Sequence, residues 1–506
     1  MITPSTEYSL HNASGVQDTV YALLLFAPIG SGSVTDPATG ASVTATAYTT
    51  ESIPGLTSSM LIMQRPAFAP ATLSPLAGTS SIGSVSLSLL DASGAITTTR
   101  QSHQVRGNDA ALYIGYRGMT WGATFLQVIR GKITQFERSD DGLSYKIEIC
   151  DRTYQLDVDL FKPEDVAAEP YTAATKSFDD GSLVLSDADG DSAYDTVTLS
   201  GDPVGLFLRL ALSGGDAAST DYNVWPAWAG LGLTEQEVDV AACEAEQVKV
   251  LPVPFLLPVS GAENGKSFIE AEFCKALGGY LLLSGQGKIR IHYPTAPTAS
   301  AALQTLSDSV LVTRPKWRDS NDLLVTAIDY SILDGDGNEL KLPRRCSPEW
   351  LAGTVKGEER VLSIRSRGLR STLGGISIAS ATMDALFVRY GTPPSRVALQ
   401  TLFSAHLLEA GDVAEMTSDY YPDIDGRGVG ATRLLEVLSV KAGPFRVEAE
   451  AIDLTAPLTV GRRAVIGPAA MGDYTAATTD EKETYAWLAD DATEELSTGD
   501  AAYIWS

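Results

Sequence analysis

The sequence predicts a mainly β chain with an α/β middle part, in which one β-module is used twice. Three observations carry this. Residues 124–136 and 145–150 alternate apolar and polar around Ser139-Asp140-Asp141-Gly142, and 433–441 and 445–452 do so around Ala442-Gly443-Pro444. Period-two alternation marks half-buried strands, and Asp-Gly marks the hairpin between them. The two hairpins also end alike, in Ile149-Cys150-Asp151-Arg152-Thr153 and in Ile452-Asp453-Leu454-Thr455. Finally, their entries match: 85–91 leads into Ala92-Ser93-Gly94-Ala95-Ile96, and 323–333 into Asp334-Gly335-Asp336-Gly337 and Leu340. The second copy is then enlarged by an insertion at about 345–395.

The segments, in order, are an N-terminal arm and loop region (1–80), the first β-module (81–168) and a middle α+β domain (169–300). The second module with its insertion (301–458) and an acidic tail (459–506) follow. Residues 1–80 are rich in Ser, Thr, Gly, Ala and Pro, with one apolar strand candidate at 20–26 (VYALLLF). The stretch 30–50 reads as a long loop or extended arm.

In the middle domain, Asp187-Ala188-Asp189-Gly190-Asp191 with Asp195 resembles the start of a calcium loop. Its glycine stands fourth rather than sixth, and position twelve is Thr198 rather than a bidentate Glu. An Asp/Gly turn between strands 183–185 and 196–199 is the better reading. Gly261-Ala262-Glu263-Asn264-Gly265-Lys266-Ser267 nearly spells a phosphate loop, but Ser260 stands where the first glycine belongs and three prolines break the leading strand. The same residues read better as a helix capped by Ser267 with Glu270, stopped by Gly278-Gly279. A hairpin over 280–283 and 288–292 follows.

Within the insertion, Lys341, Arg344, Arg345, Lys356, Arg360, Arg365, Arg367 and Arg370 outnumber Glu349, Glu358 and Glu359. This basic island is either a face for an acidic partner, such as a neighbouring subunit, or an ordinary solvated surface. Residues 376–390 are a short helix or irregular, stopped by Pro393-Pro394. In the tail, 478–487 can form a capped helix, and Trp487, Tyr503 and Trp505 could anchor a partner or dock on their own domain.

At 506 residues the chain has room for roughly three or four domains. Hydrophobic residues make up 44% and the mean hydropathy is +0.02, values of a globular chain. A net charge of −26 argues against general affinity for nucleic acid or anionic membrane, though not against a channel that DNA slides through. Cys150, Cys243, Cys274 and Cys346 form no C-x-x-C pair, so neither a disulfide scaffold nor a zinc site is expected. No Lys or Arg precedes Arg65, so the start of a Sec-type signal is missing, and no apolar run is long enough to span a bilayer. The expectation is a soluble protein.

His11, His103, His292 and His406 are isolated, and no Gly-x-Ser-x-Gly elbow occurs; Gly375-Ile376-Ser377 runs into Ile378-Ala379. The many carboxylates are no evidence of catalysis, since most acids face solvent. We therefore assign no catalytic residue, cofactor-binding residue, metal ligand or cofactor. The expectation is a structural protein, not an enzyme.

The run Ser81-Ile82-Gly83-Ser84-Val85 to Asp91 with Gly94-Ala95-Ile96-Thr97, and Gly131-Lys132-Ile133 with the hairpin closing at Asp151, resemble tailed-phage baseplate hub (tail-tip) proteins. Leu277-Gly278-Gly279-Tyr280 to Lys288-Ile289-Arg290-Ile291 resembles that family's middle domain. The stretch 407–416 and Gly472-Asp473-Tyr474 with Glu481 and Tyr485 are similar to siphophage tail proteins. The loose first 50 residues and the insertion depart from the simplest hub pattern.

The resemblance implies two similar β-barrel modules per chain and a homotrimer, a ring of six near-equivalent modules. Such a ring adapts a six-fold tail tube to a three-fold central fibre or spike and forms part of the DNA channel. Implied partners are further copies of the chain, the distal tail protein or tail tube, the fibre or spike, and the tape-measure protein, with no specific nucleic-acid binding. The implied location is the virion, at the tail tip or baseplate, after assembly in the host cytoplasm. The alternatives are a tail-associated cell-wall-degrading enzyme and a carbohydrate-binding adhesin.

Overall fold

The computed structural model describes Tyr8 and residues 18–454, except 58–59, 63–65, 70–71, 82, 92–93, 141, 170–173, 188–189, 192–193, 216–220, 250–254, 285–286, 295–303, 354, 356, 403–404, 406, 422–427 and 443–445. The acidic tail with Trp487, Tyr503 and Trp505 lies outside the described residues, as do His11, Lys356, His406 and the Gly443-Pro444 turn. The chain divides into two units, and the elements below lie in the first, residues 1–422 and 429–455.

The first module has six core strands: β1 (Thr19–Phe26), β2 (Ala67–Ala69), β3 (Ser84–Leu90), β4 (Asp109–Tyr116), β5 (Leu126–Arg138) and β6 (Ser144–Asp151). They lie in the order β1-β4-β5-β6-β3-β2. In β3 (SVSLSLL) every second residue is buried, so Val85, Leu87 and Leu89 enter the core while the serines face outward. β1 is buried along its whole length. The hydrogen-bonded path is open, but its sides approach. Met60–Leu61 runs parallel to Ser42–Thr49, and Ile62 bridges to Leu89 in β3.

The stretch 30–50 differs from the loop expected. Gly32–Thr35 and Ser42–Thr49 are strands that extend this sheet beyond β1. Small residues such as Thr and Ala concealed the alternation, and a distant anchor fixes the turn between the strands. Asp36 is fully buried and accepts hydrogen bonds from Tyr113 Oη at 2.6 Å and Arg130 Nη1 at 2.9 Å. A buried carboxylate is tolerable only with such partners.

The second module repeats the first strand for strand. Its strands are β7 (Gln304–Ser307), β8 (Lys316–Asp319), β9 (Ser395–Leu402), β10 (Val413–Thr417), β11 (Arg433–Ala442) and β12 (Arg446–Asp453), in the order β7-β10-β11-β12-β9-β8. Each label is its counterpart's plus six. Register agrees too. Val85 lies opposite Ile149 and Val397 opposite Ala451. Ala110, Gly131 and Asp151 form one row, and Ala414, Leu435 and Asp453 the other.

Both third strands are bulged at the same place, after Ile133 and after Val437. A bulge raises local twist and helps a sheet curl. Just beyond, Gly107 N donates to Ile133 O (2.8 Å) and Ile133 N to Asn108 O (3.0 Å). Gly411, Val437 and Asp412 repeat both bonds, at 2.7 and 2.8 Å. One difference stands out: β1 is antiparallel to β4, whereas β7 is parallel to β10.

The entry to the second module is not where the alternation placed it. The counterpart of β3 is β9, whereas Ala327–Leu333 pairs with Glu339–Lys341, Arg345–Cys346 and Val361–Arg370 in a separate sheet. The chain leaves the second barrel-like sheet after Asp319 and returns to it at Ser395, so the insertion starts earlier than 345 and takes in Ala327–Leu333. Val361–Arg370 lies parallel to Ala327–Leu333, and the 16-residue helix Gly375–Tyr390 buries Ile378, Met383, Leu386 and Phe387 in the middle core. An alternating strand with an Asp-Gly turn gives the same local signal whichever sheet it joins, because pairing is a long-range choice.

That middle core also holds the antiparallel sheet Thr175–Phe178, Leu183–Ser186, Thr196–Gly201 and Phe255–Val259, and the buried helix Pro203–Leu212. The helix beginning at Gly265 is capped by Asn264, whose Oδ1 accepts from Ser267 N at 3.1 Å. Ser267 is therefore not the cap. The helical run ends as expected at Gly278, with φ +70°. Tyr280–Leu283 and Ile289–His292 form the expected hairpin.

Candidate assembly surfaces

Gly190 N donates to Asp187 Oδ1 at 2.6 Å, as in a tight turn, while Asp189 lies outside the described residues. Among the described residues, no group of three His, Cys, Asp or Glu side chains could hold a metal ion. Cys243 and Cys274 are buried, and burial pushes the Cys243 thiol up to about 12, away from reactivity. No described helix is long and apolar enough to cross a membrane.

Much of the basic island is used inside the chain. Arg344 bonds Asp329 through two nitrogens at 2.7 and 2.8 Å, and Arg345 reaches Asp384 at 2.5 Å. Arg367 joins Glu263 (2.6 Å) and Glu272 (2.7 Å). Arg370 donates to the carbonyls of Leu256 and Asp334. These arginines fasten strands to the helix and loops of the middle domain.

The middle domain leans on both modules. A Cβ on Gly287 would lie 3.0 Å from Arg130 of β5, and one on Gly411 would lie 2.6 Å from Leu282 of the hairpin. Arg152, at the end of β6, pairs with Glu237, and Arg389 pairs with Glu436 of β11. Arg389 Nη2 also donates to Tyr280 Oη at 3.1 Å, and the Tyr280 and Tyr390 hydroxyls lie 3.1 Å apart. Buried charges joined this way add little net stability over an apolar pair of the same volume, but removing one partner of such a pair is costly.

Glu246 closes the hairpin against the helix Val240–Gln247. Burial alone would raise its pKa, but His292 Nδ1 at 3.0 Å, Lys249 Nζ at 2.7 Å and the Tyr293 N–H at 2.8 Å outweigh burial and lower it to about 2. A carboxyl depressed in the folded state stabilises above its ordinary value of 4.5, and that stability is lost as pH falls toward 2. After discounting for solvent screening, the contribution is about 2 kcal/mol at neutral pH. Glu246→Gln should lower the unfolding free energy by that amount at neutral pH. The gap from the parent should close on acidification, which denaturant titrations along a pH series would check.

The modules also touch directly, and Leu407 of the second packs against the core of the first. Thr72, just past β2, makes an antiparallel bridge to Ser439 beyond the bulge of β11. Beside it, on the outer face of the second module, Lys316, Gln400, Ser439, Lys441, Glu448 and Glu450 line an open groove of about 390 Å³. Its charged row is reversed in the first module. Lys441 lies opposite Glu448, whereas at the same register Glu137 lies opposite Lys146.

No family model and no curated protein sequence matches the chain. Solved structures do. The tail protein from Neisseria meningitidis MC58 aligns over 86% of this chain and 96% of its own, at 9% identity and a TM-score of 0.42. The prophage MuSo2 43 kDa tail protein from Shewanella oneidensis covers 76% and 93%, at 10% identity and 0.38. The chain is similar to phage tail proteins. Prophage tail protein gp18 from Listeria monocytogenes EGD-e aligns over 78% of this chain and 90% of its own, at 9% identity and 0.33.

Proposed function

We propose that the chain is a structural baseplate hub at the distal end of a phage tail. Three copies form a ring whose six barrel-like modules face a six-fold tail tube while the whole keeps three-fold symmetry for a central fibre or spike. The carrying observation is the repeat itself: two sheets of the same strand order, register and bulge position in one chain. Two modules of like topology fused in a trimer are the simplest way to present six similar surfaces with three chains. The excess of 63 acidic over 37 basic side chains suits a lumen that DNA traverses without adhering. The distal tail protein, tape-measure protein and fibre are the expected neighbours. The role is architectural rather than enzymatic, carried by interfaces.

Light scattering on the purified full chain should give three times the monomer mass, and pull-down with tail-tube or distal tail protein should retain it. A monomer at high concentration that binds neither would overturn the reading.

A further inference from the structure

In the second module the edge of β11 beyond its bulge is covered from within the chain. The ladder with β10 ends at Val413 opposite Glu436, continues through the Gly411–Val437–Asp412 hydrogen bonds, and passes to Thr72 at Ser439. Leu73, the next residue, is 2% exposed. The covering segment belongs to the first module and follows its edge strand β2.

In the first module the corresponding ladder runs to Lys132 opposite Asp109 and ends, among the described residues, at the Gly107–Ile133–Asn108 hydrogen bonds. Gln135 holds the register of Ser439. Residues 137 and 138 beyond it are exposed. The counterpart of β2 is β8, and Trp317 opposite Val397 takes the position of Phe68 opposite Val85. Phe68 packs against the first core, whereas Trp317 is 40% exposed and all four residues of β8 face solvent. After β8 the chain turns at Asn321–Leu323, so the strand on offer is β8 itself.

We infer that edge 135–138 of one copy is covered by the Lys316–Asp319 edge of the next copy, so that the gap which Thr72 covers within the chain in the second module is covered in the first by a strand from another chain. This deepens the trimeric-hub reading and rests on it. Charge favours the match at Glu137, which meets a strand carrying Lys316 and Arg318, while Arg138 is turned to the Gly142 carbonyl of its own hairpin. Exposed sheet edges invite another strand, and this pairing gives both a defined occupant. A head-to-tail contact of this kind closes into a trimer when three successive chain-to-chain rotations complete one full turn.

The test uses the full chain with Glu137→Cys and Trp317→Cys, singly and together, under mild oxidation, read on non-reducing gels beside light scattering. Covalent dimers and trimers, reversed by reductant and confined to the double variant, are expected. Trimers by scattering with no more cross-linking than in the single variants would overturn the contact while leaving the hub reading standing. Monomers at every concentration would overturn both. As a second measurement, Trp317→Glu should weaken self-association about tenfold or more, the scale of a central aromatic contact, with Tm unchanged only at dilutions where both proteins are monomeric. Unaltered association would overturn the role given to β8.

Discussion

Glu436→Gln is expected to lower the unfolding free energy by about 3–5 kcal/mol, the cost of removing one partner of a buried ion pair. The side chains of Arg389 and Glu436 are 7% and 3% exposed, so water cannot replace what the substitution removes. The Tyr280 and Tyr390 hydroxyls that also face Arg389 are neutral dipoles. The substitution takes the Glu436 carboxylate away from a guanidinium held in a dry site between the long middle helix and β11. Replacing both partners together, Arg389→Met with Glu436→Leu, should recover most of the loss, because an apolar pair of similar volume satisfies such a site about as well. Chemical denaturation of the single and double variants would check both statements. If Glu436→Gln cost under about 1 kcal/mol, the pair would behave as a surface contact.

Gly131→Ala is expected to destabilise the first module by more than about 3 kcal/mol or to prevent its folding, because the clash is with backbone. A Cβ there would lie 1.8 Å from the carbonyl oxygen of Cys150 and 3.2 Å from Cα of Asp151, across the ladder between β5 and β6. Neither atom belongs to a side chain that could swing aside. The second module carries Leu435 at the same register, so the constraint comes from local strand spacing in the first module rather than from the shared topology. Gly261→Ala serves as the control, since nothing lies within 4 Å of its added carbon and its φ is not positive. Thermal melts should separate the two variants widely.

The central hairpins, Asp151 and Asp453 at their ends, and the helix stop at Gly278 were readable in the sequence, because period-two alternation and Asp/Gly turns are local signals. The duplication was readable for the same reason, but only over the last two strands. The match of 323–333 to β3 failed because Ala327–Leu333 pairs with Val361–Arg370, a partner that no local pattern names. The cap at Asn264 was missed because Ser267 with Glu270 imitates a capping box three residues late. The strands flanking Asp36 were hidden because their anchors, Tyr113 and Arg130, are more than seventy residues away in the chain. The assembly surfaces were the least readable. Thr72 and Ser439 carry no signature of their own, and they matter only because one lies where the other's sheet has a gap.

The reversed pairs Glu137–Lys146 and Lys441–Glu448 have a consequence for anything laid over several such modules at once. On identical scaffolds, neighbouring positions would present opposite polarity. Turning a six-footed partner by a single step would then trade every attraction for a repulsion. In the proposed trimeric ring, two unlike copies of one sheet topology per chain would let one polypeptide write an alternating code around a circle, which a ring of six identical subunits is unable to do.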